Sequence, residues 1–342
     1  MQLIYSYLTH HNMLKAKITG IASYTPDYIL TNEELAQMVD TSDEWIMTRV
    51  GIKERRILKG EGTASSDLGA EALKALIAKT GIDPTEIELI ICATSNPDYR
   101  FPSTASIIAE KVGIKTTYSY DIQAACAGFV VALQAGAAYI QAGIHKKVVV
   151  MAAEKMSSMT NYSDRNTCPL FGDAAACVLL ESTDEEVGVM DTVVHTDGMG
   201  LKHLIFKAGG SAYPASHETV DNNEHYLYQD GRFVFKHAVA NMISASQDIM
   251  KRNNLSIDNI DYVVPHQANL RIIEAIAERF NIPQEKILIN IERYGNTSAA
   301  SIPLCMAEYE KKFKKGDKFI LTAFGAGFTW GALYLVWGYD AQ

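Results

Sequence analysis

Ile87-Glu88-Leu89-Ile90-Ile91-Cys92-Ala93 is a short, β-branched, mostly apolar run, and Ser103 to Val112 follows it with apolar residues at helical spacing. A run of this length is too short for a helix and reads as a buried strand. Strands alternating with helical segments argue an α/β fold. The segment between Ser65 and Gly81 supports the same reading: Leu68, Ala72, Leu73, Leu76 and Ile77 line one helical face, Ser65 or Ser66 is placed to cap it, and Gly81 suits a left-handed terminator. Gly143 closes the helix after Cys126 in the same way.

The first run has a counterpart. Ile260 to His266 repeats its pattern, again after an Asp and a loop. Ala124-Ala125-Cys126-Ala127-Gly128 opens a helix of small residues, and Gly295-Asn296-Thr297-Ser298-Ala299-Ala300 opens another at the corresponding place. Each leads to a strand, Lys147 to Ala152 and Lys318 to Ala323, and then to a last apolar strand, Ala175 to Leu180 and Trp330 to Trp337. The halves meet near Thr183 to Gly188, with no Pro-rich or Ser-rich linker, which predicts intimate packing of the two. The expected organisation is an N-terminal extension over 1–14, a first half over 15–184 carrying Cys126, and a second over 185–342 carrying His266 and Asn296.

Composition limits the function classes. The chain has 342 residues, 48% hydrophobic and 21% charged, which excludes a mainly disordered protein. A net charge of −9 disfavours nucleic acid as a partner, since phosphate binding demands excess Lys and Arg. The five cysteines are an odd number without paired spacing, so neither a disulfide framework nor a zinc site is indicated, and a reducing cytoplasm fits. Met1 to Met13 lacks the basic start and apolar core of a signal peptide. Runs such as Val148 to Ala153 fall far short of the roughly 20 residues that span a bilayer, so no membrane insertion is expected.

Three residues carry the chemistry. Cys126 lies where a strand yields to a helix, and the positive helix terminus there favours thiolate, although a packed, inert cysteine is the commoner case. His266 follows the strand Tyr262-Val263-Val264-Pro265, at the end of the strand where open α/β sheets bind ligands; a histidine satisfied by loop carbonyls is the alternative. Asn296, taken singly, reads better as a helix cap. If the halves superpose, Cys126 and Asn296 occupy equivalent helix starts and all three residues converge. The glycine-rich Phe324-Gly325-Ala326-Gly327-Phe328-Thr329-Trp330-Gly331 lacks the Lys of a phosphate loop; it reads as an oxyanion-binding turn or a simple hairpin. Phe171-Gly172-Asp173-Ala174-Ala175 reads as a structural turn whose Asp bonds local backbone.

Cys126 within Ala124-Ala125-Cys126-Ala127-Gly128-Phe129, His266 within His266-Gln267-Ala268-Asn269 and Asn296 within Gly295-Asn296-Thr297-Ser298-Ala299-Ala300-Ser301 together resemble the β-ketoacyl-acyl-carrier-protein synthase III family of the thiolase superfamily. The resemblance runs from about Lys15 to the C-terminus and includes Ser42-Asp43-Glu44-Trp45 with Thr48-Arg49, the segment at Phe171, and Gly327-Phe328-Thr329-Trp330-Gly331. Ala174 and Ala326 stand where glycine is more usual.

The resemblance implies a thiolase-like fold with two pseudo-repeated halves layered α-β-α-β-α. It implies that Cys126 takes an acyl group from acyl-CoA and that malonyl-acyl carrier protein is then decarboxylated, with His266 and Asn296 binding the enolate. By the same route the N–H groups of Cys126 and Gly327 form the oxyanion hole. Trp45 and Arg165 sandwich the CoA adenine, with Arg49 near its phosphates; Lys236 and Arg271 dock the acidic carrier protein; Phe101 reaches a partner's acyl pocket in a homodimer. No metal or resident cofactor is implied, CoA thioester being substrate. The same three residues would also serve a relative that primes specialised metabolites or a Cys-His hydrolase, and the fold alone a non-catalytic acyl-CoA or carrier-protein binding module.

Overall fold

In the computed structural model, which describes residues 14–341, Leu89, Ile91 and Ala93 face one core while Ile90 and Cys92 face another. This strand is buried on both faces, as its unbroken apolar run requires. The strands in chain order are β1 (Lys15–Tyr24), β2 (Ile29–Thr31), β3 (Glu54–Arg56), β4 (Leu89–Ala93), β5 (Tyr118–Ile122), β6 (Lys147–Lys155), β7 (Asp173–Thr183), β8 (Gly188–Thr196), β9 (Leu204–Phe206), β10 (Leu227–Gln229), β11 (Tyr262–Pro265), β12 (Lys318–Gly325) and β13 (Thr329–Val336).

Two sheets carry the molecule. The first has the order β1-β7-β6-β4-β5 and the second the order β11-β12-β13-β8. In the first, β4 runs parallel to β6, β6 antiparallel to β7, and β7 antiparallel to β1. In the second, β11 runs parallel to β12, β12 antiparallel to β13, and β13 antiparallel to β8. Order and direction therefore match strand for strand, with β5 the added edge of the first sheet. The internal repeat read from the sequence has this physical form.

The helices Gly128–Gln141 and Ser301–Tyr309 lie between the sheets. Phe129, Leu133 and Ile140 of the first and Ile302, Leu304 and Met306 of the second share a core with Val148 and Val150 of one sheet and Phe319 and Leu321 of the other. On the outer face of the first sheet, the helices Ser65–Thr80 and Thr104–Val112 cover Ile90, Val149 and Met151. Gly231–Arg252 and Leu270–Phe280 cover Val263, Ile320 and Ala332 of the second. The result is five layers, α-β-α-β-α.

Two local expectations need correction. Ser65 and Ser66 do not cap their helix: Ala64 is the N-cap, and its N–H is bonded by the Asp67 carboxylate at 2.8 Å. The serine hydroxyls are engaged elsewhere, Ser65 donating to the Asn96 carbonyl and Ser66 to the Asp98 carboxylate. Asp173, expected to bond local backbone in a turn, instead opens β7 and accepts from the Leu58 and Ser157 N–H groups at 2.8 Å each. Gly81 and Gly143 do adopt positive φ, 69° and 70°, behind their helices. The N-terminal extension lies outside the described residues except for Leu14.

The middle layer is the part most exposed to damage by truncation. Phe129 is fully buried between the sheets, so Phe129→Ala is expected to lower unfolding free energy by about 3–5 kcal/mol. Urea denaturation checks this, and a loss below about 1 kcal/mol would show that the layer relaxes around the cavity.

Candidate active site

Ala125 stands as far along the chain from the start of β4 as Ser298 does from the start of β11, and each begins a 3-10 turn that leads into a central helix. Ala125 has φ 45° and Ser298 φ 50°, so both turns use the same left-handed step. Cys126 thus corresponds to Ala299. Asn296 lies just ahead of its turn, not at the position equivalent to Cys126, so that detail of the expected correspondence is corrected. Convergence nevertheless holds: Cys126, His266 and Asn296 all line one cavity of about 1110 Å³.

His266 is carried out of β11 at the expected end, and its N–H continues the sheet by bonding the Thr322 carbonyl at 2.8 Å. Its Nδ1 lies 2.7 Å from the Ser301 Oγ, which itself accepts from the Gln267 N–H at 3.3 Å. With the Ser301 proton directed to Nδ1, the ring's remaining proton sits on Nε2. Burial lowers the His266 pKa to about 3, so the ring is neutral at any physiological pH.

Asn296 is both a cap and a donor. Its Oδ1 accepts from the Ser298 N–H at 2.8 Å, which fixes the amide so that Nδ2 is the free end. Its backbone is clamped by the segment at Phe171: the Asn296 N–H donates to the Leu170 carbonyl at 2.8 Å, and the Gly172 N–H to the Asn296 carbonyl at 3.1 Å. A Cβ at Gly172 would lie 2.3 Å from the Tyr294 carbonyl oxygen, so no larger residue permits this approach. Buried Arg55 braces the same loop through the Pro169 carbonyl at 2.8 Å.

The Cys126 thiol keeps an opening onto the cavity, yet protein surrounds it. Burial pushes its pKa up to about 12; the Ser298 hydroxyl, as hydrogen-bond partner, pulls it down, and the Glu154 charge raises it further. Burial therefore opposes the pull toward thiolate expected from the helix terminus. The glycine-rich stretch is the hairpin joining β12 and β13. A Cβ at Gly325 would lie 2.6 Å from the Cys126 nitrogen, so the hairpin runs against the nucleophile's backbone. Ala326 lines the cavity there, whereas the nearest contacts of a Cβ at Gly327 would be with Thr329.

Toward the mouth, Ser42 caps the helix Asp43–Val50, which presents Trp45 and Arg49. The Arg49 and Arg165 guanidinium carbons each lie 4.6 Å from the Trp45 ring centroid. Arg165 stacks directly on the indole and pairs with Asp40 at 3.1 Å, so an adenine between them must part that stack by a ring thickness. Arg271 lies at the rim with its guanidinium carbon 5.5 Å from the Phe235 centroid, and Lys236 is exposed on the neighbouring helix. Phe101 is 85% exposed and is not brought to this cavity.

The pattern described as 3-oxoacyl-[acyl-carrier-protein] synthase III matches residues 120–198, and that family's C-terminal pattern matches residues 250–337. The chain is 57% identical over 331 residues to a β-ketoacyl-[acyl-carrier-protein] synthase III of Porphyromonas gingivalis, covering 97% of this chain and 99% of that one. The chain belongs to the β-ketoacyl-[acyl-carrier-protein] synthase III family. A second such protein, synthase III 2 of Bacteroides thetaiotaomicron, is 56% identical over 96% of this chain and 98% of its own. The crystal structure of the Aquifex aeolicus 3-oxoacyl-[acyl-carrier-protein] synthase III superposes with a TM-score of 0.86 at 41% identity, covering 94% of this chain and all of that one. The thiolase-like fold expected for a synthase III is thus the fold observed.

Sequence reading missed Ser301, Glu154 and Arg232. Ser301 ended a quoted motif, but its contact with His266 joins segments far apart in sequence. Glu154 had a signal, a carboxylate closing the apolar run Val148 to Ala153. Arg232 lies one turn before Lys236 and lines the cavity.

Neutral His266 has a pH consequence. Its folded pKa of about 3 lies below the ordinary 6.5, so the unfolded chain binds the extra proton between these values. Its contribution to stability is complete above pH 6.5 and is lost as pH falls through that window toward about 3. Nitrogen NMR of the imidazole is expected to show the neutral ring at pH 5, with a protonated signal there contradicting the buried environment.

Proposed function

We propose that this chain transfers the acyl group of a short acyl-CoA to Cys126 and joins it to malonyl-acyl carrier protein with loss of CO₂. The product is β-ketoacyl-acyl carrier protein, in the initiating condensation of type II fatty-acid synthesis. The observation that carries this reading is the cavity shared by Cys126, neutral His266 and the oriented Asn296 amide. A thiol facing two uncharged donors suits acyl storage followed by enolate stabilisation better than hydrolysis.

In the first half-reaction the Cys126 sulfur attacks the thioester carbonyl and CoA departs as thiolate. In the second, the malonyl carboxylate leaves as CO₂ and its electron pair moves into an enolate. His266 Nε2–H and Asn296 Nδ2–H donate to that enolate oxygen, and the carbanion attacks the acyl-Cys126 carbonyl. The Cys126 N–H is one donor to the resulting oxyanion. Gly327 was the second donor expected by resemblance; the placement of Ala326 on the cavity favours the Ala326 N–H for that role.

Trp45 and Arg165 take the adenine and Arg49 the phosphates, a role supported by two guanidinium groups already stacked on one indole. Lys236 and Arg271 dock the carrier protein, a role supported by the exposure of both on an otherwise acidic chain and by the place of Arg271 on the cavity lining. A homodimer in which Phe101 enters the partner's pocket is supported by the exposed pair Phe101 and Tyr99. The two halves, 15–184 and 185–342, act as one unit around the cavity. A cytoplasmic location is supported by five free cysteines. No helix among the described residues is long and apolar enough to cross a membrane.

Intact-protein mass spectrometry after exposure to acyl-CoAs is expected to show an adduct mapped to Cys126 and absent from Cys126→Ser. His266→Ala and Asn296→Ala are expected to retain that adduct while condensation falls about 10²–10³-fold. Undiminished condensation in either variant would remove the enolate role. Arg165→Ala is expected to raise the KM for acyl-CoA roughly tenfold with kcat little changed, since a partly desolvated cation–π contact contributes about 1–2 kcal/mol. A fall in kcat at unchanged KM would place Arg165 outside CoA binding.

A further inference from the structure

Glu154 is a fully buried carboxylate that the condensation steps above do not use. It closes β6 and meets the loop after β4 and the turn Ser298–Ala300. Its oxygens accept from the Ser95 N–H at 2.9 and 3.1 Å, from the Ser95 hydroxyl at 3.1 Å, from Thr94 at 3.3 Å and from the Ala299 N–H at 3.4 Å. The Ser95 and Ser298 hydroxyl oxygens lie 3.2 Å apart, and Ser95, Ser298 and Cys126 line the same cavity, with Cys126 and Ser298 in the two matching turns. A pair of hydroxyls therefore stands between the cavity that holds Cys126 and a buried acceptor.

We propose that Glu154 takes the Cys126 proton through the paired Ser298 and Ser95 hydroxyls during acylation and returns it to the sulfur after condensation. The inference rests on the acyl-enzyme reading of Cys126. As sulfur bonds to the acyl carbon, the S–H bond breaks, each hydroxyl passes one proton along, and the carboxylate becomes a carboxylic acid. CoA leaves as thiolate and is protonated by solvent. When the carbanion later displaces Cys126, the proton moves back and regenerates thiol and carboxylate. One solvent proton is consumed per cycle, as decarboxylative condensation requires. Glu154 does not touch substrate, so it is a positioning residue that holds a proton.

The surroundings favour Glu154 over His266 for this task. His266, lowered to about 3, is a poor acceptor, whereas burial raises Glu154 to about 7 against the pull of its hydrogen bonds. The titratable groups that bear on Glu154 are Cys126 from the turn before the central helix and Cys92 from β4. Its strand neighbours are turned elsewhere, Lys155 to Thr63 and Asp173 to Leu58 and Ser157. The hydroxyl path from Glu154 toward the cavity runs through Ser95 and Ser298.

Iodoacetamide alkylation of Cys126, mapped by mass spectrometry across pH on the full chain, tests this without any acyl donor. With the relay, the wild-type rate is expected to level off above about pH 7, once Glu154 is free to accept. Glu154→Gln and Ser298→Ala are expected to lose the plateau, rise in proportion to hydroxide, and react at least tenfold more slowly at pH 8. A carboxylate acting only as a neighbouring charge predicts the opposite sign, because removing it eases ionisation of the thiol. Wild-type or faster alkylation in Glu154→Gln, with the plateau intact, overturns the proposal. Should Glu154→Gln fail to fold, Ser298→Ala decides alone; alanine is sterically suited, since Ala125 holds φ 45° at the matching position. Acyl-CoA adducts measured on the same samples separate the two claims: a plateau without any adduct removes the acyl-enzyme reading and leaves the relay standing.

Discussion

Two helix starts press against each other at the centre of this molecule, and the active site exists because of that contact. A Cβ at Gly128 would lie 3.0 Å from the Ala93 side chain and 3.3 Å from that of Ala299, so the two turns approach as closely as small residues allow. Each sheet positions one turn, and the matched strand order of the sheets brings the turns together from opposite sides. The small residues read in the sequence as helix openers are small because another backbone lies against them.

The same closeness governs the chemistry. Excluding water raises the Cys126 thiol to about 12, lowers His266 to about 3 and raises Glu154 to about 7. All three shifts favour the uncharged form, as desolvation does when no counter-ion is present. An environment of this kind makes generation of a charged nucleophile costly. A protonated resting thiol also limits adventitious oxidation, because the thiolate is the reactive form. In the proposed reaction, uncharged donors at His266 and Asn296 would respond most strongly to a charge that appears only during reaction, which is how differential stabilisation of a transition state arises.

Much of this was legible in the sequence wherever one residue had one task. The apolar runs at Ile87 and Ile260 gave strands because nothing competed with burial, and the repeat followed from their similarity. Reading failed where a side chain was claimed from far along the chain. Ser65 and Ser66 carry cap chemistry but bond the loop at Asn96 and Asp98; Asp173 carries turn chemistry but bonds Leu58 and Ser157. Asn296 shows that the two readings need not compete: its oxygen caps the turn, and that bond leaves the nitrogen free for the role proposed for it. Ser301 gave no local signal of function, and the one Glu154 gave, a carboxylate after an apolar run, did not name its partners, which come from other segments.

The rim poses a different physical problem from the floor. The chain carries a net charge of −9, yet Arg49, Arg165, Arg232 and Arg271 gather around one mouth, where cations attract phosphate-bearing and acidic partners over about a Debye length. Arg49 and Arg165 occupy opposing demands: stacked on Trp45 they are held in place, but an adenine can replace Arg165 on the indole only by breaking that stack and straining the pair with Asp40. The exposed Asp40 pair contributes little in water, so the obstacle is chiefly the cation–π contact, which a stacked purine replaces in kind. At the proposed adenine site the exchange is therefore close to balanced at the ring, and net affinity for CoA would come from phosphate contacts and from the acyl chain reaching the desolvated floor.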